Sequence, residues 1–186
     1  MTIILIVLGI ILILFFALIK IFNRFVKNKN TVKDAWSNID VALKRRYDLI
    51  PNLIETVKGY AAHEKGTLEA VVQARNAAMS VPSDDINAKI KAENDLQQSL
   101  RSIFALREDY PDLKANTNFM DLQQKLNEIE VNLERSRRYY NGTVRENNTY
   151  GESFPGVIFA GMFKYKHFDY FETDEVSREN IQVSFD

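Results

Sequence analysis

Catalysis and metal binding in this chain would have to rest on very few side chains: two histidines, His63 and His167, and no cysteine. A di-iron carboxylate site inside a helical bundle needs Glu-x-x-His on two helices. Tyr60 stands three residues before His63, and Lys164 three before His167, so the pattern fails at both. His63-Glu64 begins an H-E-x-x-H match, but Thr67 occupies the second histidine position. No G-x-S-x-G nucleophile turn and no G-x-x-x-x-G-K-[ST] phosphate loop occurs. The lack of cysteine removes a disulfide framework, a Cys-based zinc site, a thiol nucleophile and a lipidated cysteine. The expectation is a protein that is not an enzyme, with no catalytic residues, no metal site and no cofactor.

The remaining polar candidates are charged clusters. Lys44-Arg45-Arg46 lies on a helical stretch, and Arg46 falls at the edge of the apolar stripe Leu43, Tyr47 and Ile50. A buried arginine needs a carboxylate, because an unpaired buried charge is very costly. Glu93 and Glu128 are the candidate partners. Arg135, Arg137 and Arg138 form a second cluster, with one member expected to pack inward. The functional alternative for both clusters is an anionic-lipid or acidic-partner patch. Asn52 follows Pro51 and is expected to satisfy a backbone carbonyl freed there.

Elements must position these groups, and the first is unmistakable. Thr2 to Ile19 reads TIILIVLGIILILFFALI with no charge. At about 1.5 Å per residue, roughly 18 residues reach about 27 Å, close to the hydrocarbon thickness of a bilayer. A cleaved signal peptide fits less well. The start carries no Lys or Arg, the apolar run is too long, and no A-x-A-like site follows. Lys20, Arg24, Lys27, Lys29 and Lys33 follow the run, with no acid before Asp34. The positive-inside rule then puts the N-terminus outside and the body in the cytoplasm. The same cations lie where anionic lipid would meet them. Only Gly9 and the distant Ala17 offer small residues in the span, so no G-x-x-x-G signal argues for pairing through it.

The body carries helical periodicity. Trp36, Ile39, Leu43, Tyr47, Ile50, Leu53, Ile54, Val57, Tyr60, Ala61, Leu68, Val71 and Val72 step by threes and fours. This predicts one helix from Val32 to Met79, kinked rather than broken at Pro51. Val81 to Asp85 stops that helix and offers a cap for a second, from Asp84 to Tyr110, with Ile86, Ile90, Leu96, Leu100, Ile103, Phe104 and Arg107 as its stripe. Pro111 ends it. The third helix runs from Asn118 to Asn148 along Phe119, Leu122, Leu126, Ile129, Leu133, Ser136 and Tyr140, a heptad-like seam. Three long helices on short loops must lie antiparallel, as an elongated rod. Val157 to Phe163 is too short to span a bilayer. With Lys164 to Phe171 it is expected to pack back on the bundle. The alternative is a membrane-surface or partner-docking element. From Asp169 onward the tail carries six acids against one arginine and is expected to be extended or disordered.

Hydrophobic content of 46% and charged content of 26% are those of a folded protein, and a net charge of −1 gives no basic footprint for nucleic acid. Seven glycines and four prolines are too few for a turn-rich all-β fold.

The stretch from Val32 to Ala78 resembles the LemA family. The run W-S-x-I-D-V-x-L-K-R-R-Y-D-L-I-P-N-L is long, ungapped and mixed in composition. Arg137 to Asn141, Phe154-Pro155 and later aromatic pairs agree, and the match covers almost the whole chain. It departs at Asn147 to Gly151, where a more apolar helix ending is expected. The resemblance implies a bacterial protein with an N-terminal anchor, a bundle of long helices and no established enzymatic activity. It also marks Trp36, Asp40, Arg46, Pro51, Asn52 and Arg75 as signature positions with structural roles. Family associations with magnetosome membranes and membrane-protease genes are analogies and transfer no function.

The sequence therefore leads to an all-α protein. Residues 1–26 form a transmembrane anchor and basic juxtamembrane segment, 27–163 a LemA-like antiparallel bundle, and 164–186 an acidic tail. The functional expectation is a single-pass interaction or scaffold protein of the cytoplasmic membrane. It meets the bilayer through Ile3 to Ile19, has a protein partner of unknown identity, and leaves anionic lipid and self-association open. The alternatives are a membrane-shaping or lipid-organising protein, and a non-catalytic subunit of a membrane protease or other membrane enzyme.

Overall fold

The computed structural model describes residues 1–171, and the expectation of an extended or disordered acidic tail lies largely outside them. Regular structure among the described residues is entirely helical. Helix α1 spans Thr2–Lys58, α2 Lys65–Ser80, α3 Ile86–Ala105, α4 Pro111–Lys114, α5 Thr117–Glu152 and α6 Gly156–Phe159. The first 18 helical residues of α1 are exposed on all sides, and this stretch is long and apolar enough to cross a membrane.

The helix predicted from Val32 to Met79 is two helices, and the break is not at Pro51. Pro51 lies inside α1, exposed, and the helix continues to Lys58. The chain reverses after Lys58, where the amides of Tyr60 and Ala61 both bond to the Val57 carbonyl. Periodicity hid this turn, because Ala61 within it and Leu68 beyond it are both buried and keep the stripe going. Its polar groups are held from another part of the chain. The Asn116 amide donates to the Tyr60 hydroxyl at 2.8 Å, and the Tyr110 hydroxyl donates to Glu64 at 3.1 Å.

The chain divides into two compact units. One contains Asp40–Leu133, with Phe171 its last described residue. Here the end of α1, α2, α3 and the start of α5 alternate in direction. Asp40 meets Ser83 and Tyr47 meets Glu93, so α3 runs parallel to α1. Arg46 meets Glu130 and Tyr60 meets Asn116, so α5 runs antiparallel. The core is the stripe read from the sequence: Leu43, Ile50, Leu53, Val57, Leu96, Ile103 and Leu133 are almost fully buried. Each such side chain contributes about 1.5–3 kcal/mol on burial. Asp85 caps α3, accepting from the Ala88 amide at 3.0 Å. That helix ends at Ala105 in a short 3₁₀ turn rather than at Tyr110, and Leu106 rather than Arg107 is the buried member of the turn.

The other unit pairs Met1–Ile39 with Glu134–Tyr170. Trp36 packs edge-on against Tyr140, Arg24 reaches Glu146, and Phe25 packs against Tyr150, so α5 runs antiparallel to α1 toward the apolar stretch. The helix does not end near Asn148 but continues to Glu152. Beyond it the chain turns through α6 and returns along α5 from Lys164 to Tyr170. The expectation that this region packs back holds within this unit.

Candidate functional site

Two polar networks organise the described residues, one in each unit. The first surrounds Glu93, whose side chain is fully buried. Arg46, also buried, donates to it through Nη1 at 3.4 Å and lies 3.4 Å from half-buried Glu130. Glu130 replaces the expected Glu128, which is exposed and accepts from Gln124 one turn away. The Tyr47 hydroxyl donates to the other Glu93 oxygen. Burial, reinforced by the negative Glu93, pushes the Tyr47 phenol far above its usual range and keeps it protonated. Lys89, buried one turn before Glu93, donates to the Ala78 carbonyl at 2.9 Å, fixing α3 to the end of α2.

Pro51 has no N–H, so the carbonyl four residues earlier, that of Tyr47, loses its helical donor. Arg75 supplies one from α2: its Nε donates to the Tyr47 carbonyl at 2.8 Å. The role expected of Asn52 belongs to Arg75. Asn52 faces solvent, and its backbone carbonyl accepts from Thr56 Oγ1. Asp40 accepts from Ser83 Oγ at 3.0 Å. Thus Asp40, Arg46, Pro51 and Arg75 each serve a joint between helices. Trp36 sits in the other unit, half-buried against Tyr140.

Beside Arg46, between α3 and α5, lies an open cleft of about 710 Å³. Gln97, Arg101, Gln124 and Asn127 form its polar rim, and Leu100, Phe104, Met120 and Leu126 its apolar floor. Arg46, Asp121, Gln123 and Glu130 complete the lining, so the cleft offers amides, carboxylates and guanidinium groups, which suits hydrogen bonding to a peptide or side-chain surface. Neither histidine lines it. His63 is exposed in the turn after α1, and His167 lies in the other unit, 3.0 Å from Glu152. Among the described residues no group of three or more His, Asp or Glu is placed to hold a metal ion.

The second network secures the returning segment. Asn148, buried on α5, donates to the Phe168 carbonyl at 2.8 Å and accepts from the Phe168 amide at 3.1 Å. Asn147 donates to the Lys166 carbonyl, and the Tyr140 hydroxyl to that of Asp169. The Asn147–Gly151 stretch, where a more apolar ending was expected, is polar because it binds backbone. Of the arginine cluster, Arg137 packs inward and Arg135 and Arg138 stay exposed. The juxtamembrane cations Lys20, Arg24, Lys27, Lys29 and Lys33 are all exposed, with Arg24 lying over the Tyr150 ring and 3.9 Å from Glu146.

The LemA family model matches residues 35–185. The chain belongs to the LemA family. A curated relative, Protein LemA of Metamycoplasma hominis, is 24% identical over 164 residues, covering 87% of this chain and 74% of the relative. In this LemA-family chain the matched region begins at Ala35, after the apolar stretch, and includes both networks.

Sequence reasoning missed Lys89, Glu130 and the Asn147–Asn148 pair. A signal existed for the first. Stepping back from Ile103, Leu100 and Leu96 by fours and threes leads to Glu93 and Lys89, whereas the chosen Ile86 and Ile90 are only half-buried.

Proposed function

We propose that this LemA-family chain is a single-pass protein of the bacterial cytoplasmic membrane whose helical body is an interaction or scaffold surface and performs no reaction itself. The N-terminus lies outside and the body in the cytoplasm. The observation that carries the reading is the continuity of α1: an exposed apolar stretch of membrane-spanning length runs without interruption into a core helix of the body. The bilayer thus holds the body through a helix that also carries Arg46 and Tyr47. The five exposed cations after the stretch support the orientation. The amide-rimmed cleft between α3 and α5 supports protein recognition, since its rim offers donors and acceptors above an apolar floor.

The test is photo-crosslinking in native membranes with a crosslinking residue at Gln124, on the cleft rim, followed by mass spectrometry. A defined protein recovered in stoichiometric yield is the expected result. Recovery of abundant neighbours alone, unchanged when the crosslinker is moved to exposed Glu69, would overturn it.

A further inference from the structure

The turn between α5 and the returning segment exposes an unusual amount of apolar surface. Phe154 is 80% exposed, Met162 71%, Ile158 62% and Val157 52%. Soluble surfaces scatter such residues singly; a contiguous set marks an interaction site. The opposite side of the turn is packed. Phe159 stacks on Phe163, whose ring lies 5.2 Å from that of Phe22 and 5.8 Å from that of Phe25. Gly156 sits so close beneath the Tyr150 carbonyl that a Cβ there would collide with the oxygen. The turn is therefore seated in the fold, and its outward apolar face is not the product of a loose end.

Its position says what covers it. α5 approaches the apolar stretch, with Trp36–Tyr140, then Arg24–Glu146, then Phe25–Tyr150 in contact. The chain then reverses, and Tyr165, Phe168 and Asp169 return past Phe25, Asn148 and Tyr140. Residues 154–162 are the tip of that reversal. The tip rests on Phe22, three residues or about 4.5 Å beyond Ile19, where the apolar stretch ends. Exposed Lys20, Lys27, Lys164 and Lys166 flank this level, as cations do beside headgroups.

We infer that residues 154–162 insert into the headgroup–acyl boundary of the leaflet from which α1 emerges, as a second attachment to the same bilayer. Interfacial elements bury their apolar face about 5–10 Å into that boundary, a depth that side chains at the height of Phe22 reach. Two attachments on one compact unit restrict the rotation and tilt of α1, which a single span leaves free. The inference rests on the anchor reading.

The native chain has no cysteine, so single labels can be placed without background. Full-length protein is reconstituted at low density into phosphatidylcholine–phosphatidylglycerol vesicles, with one environment-sensitive fluorophore on Ile158→Cys, Met162→Cys, Leu8→Cys or Tyr139→Cys. Tyr139 is exposed on α5 away from the tip. Quenching is read with aqueous iodide and with lipids brominated near the headgroup. The Ile158 and Met162 labels should be quenched by the brominated lipid and be at least about fivefold less sensitive to iodide than the Tyr139 label. Iodide sensitivity equal to that of Tyr139 would overturn the inference, as would shielding that disappears on tenfold dilution of the protein, which would assign the face to a second copy. The Leu8 label separates the failures: if it is outside the bilayer the anchor reading falls, and if it is inside while Ile158 is not, only the second attachment falls.

Discussion

Glu93→Ala is the most informative single change in the body. The wild-type carboxylate is fully buried and joins Arg46 and Tyr47, both on α1, to α3. Its removal leaves a buried guanidinium, only 4% exposed, with Glu130 at 3.4 Å as its remaining carboxylate, and that group is about one-third exposed. Breaking a buried pair from one side costs about 3–5 kcal/mol, because the surviving charge stays desolvated. Glu130 offsets part of this, which places the expectation near 3 kcal/mol. With a urea slope of about 1–3 kcal/mol per molar, the midpoint should fall by about 1–3 M. The assay is urea unfolding of the full chain in mild detergent, followed by far-ultraviolet circular dichroism. Arg46→Met combined with Glu93→Leu removes both charges and should recover most of the loss, since apolar replacements of buried pairs are often neutral or better. A loss below about 1 kcal/mol for Glu93→Ala, or no recovery in the double variant, would refute the assignment of Glu93 as the buried counter-charge of Arg46.

Three further outcomes follow from the same contacts. Arg75→Ala should cost about 1–3 kcal/mol by stranding the Tyr47 carbonyl, and less in a Pro51→Ala background, where a backbone N–H is restored; a double-mutant cycle measures the coupling, and strict additivity would contradict the pairing. Asn148→Leu should release the returning segment, seen as new protease cleavage between Tyr165 and Phe171 while α3 stays protected; an unchanged digest would count against that network. The raised Tyr47 and Tyr140 phenols, each displaced mainly by burial, should make the protein sensitive to alkali. Below the unfolded value near 10 both states hold the proton and nothing is lost; above it only the unfolded state ionises, so stability should fall by about 1.4 kcal/mol per pH unit per tyrosine, and by less in Tyr47→Phe.

The apolar stretch was legible as an unbroken charge-free run, and most of the core because burial leaves a period in the sequence. Leu43, Ile50, Leu53 and Val57 are found where three- and four-residue steps place them. The same rule failed at the turn after Lys58, since a stripe that resumes in phase on the next helix cannot be told from one that never stopped. It also failed at Lys89, where a polar residue occupies a seam position and a search for apolar residues slides to the neighbouring face. Arg46 was legible as a buried cation because it borders the stripe. Of its partners, Glu93 was legible and Glu130 was not, because the choice between Glu128 and Glu130 depends on how α5 is rotated, which sequence spacing does not fix. Asn148 acts on backbone atoms about twenty residues away, a relation that leaves no local pattern.

The central claim is that α1 carries the body across to the cytoplasmic face. The direct measurement is thiol labelling with a membrane-impermeant maleimide in intact cells expressing either Thr2→Cys or Asn132→Cys, both positions being exposed. Thr2→Cys should label in intact cells, and Asn132→Cys only after the membrane is permeabilised. Labelling of Asn132→Cys in intact cells, or release of the protein from membranes by alkaline carbonate, would contradict it.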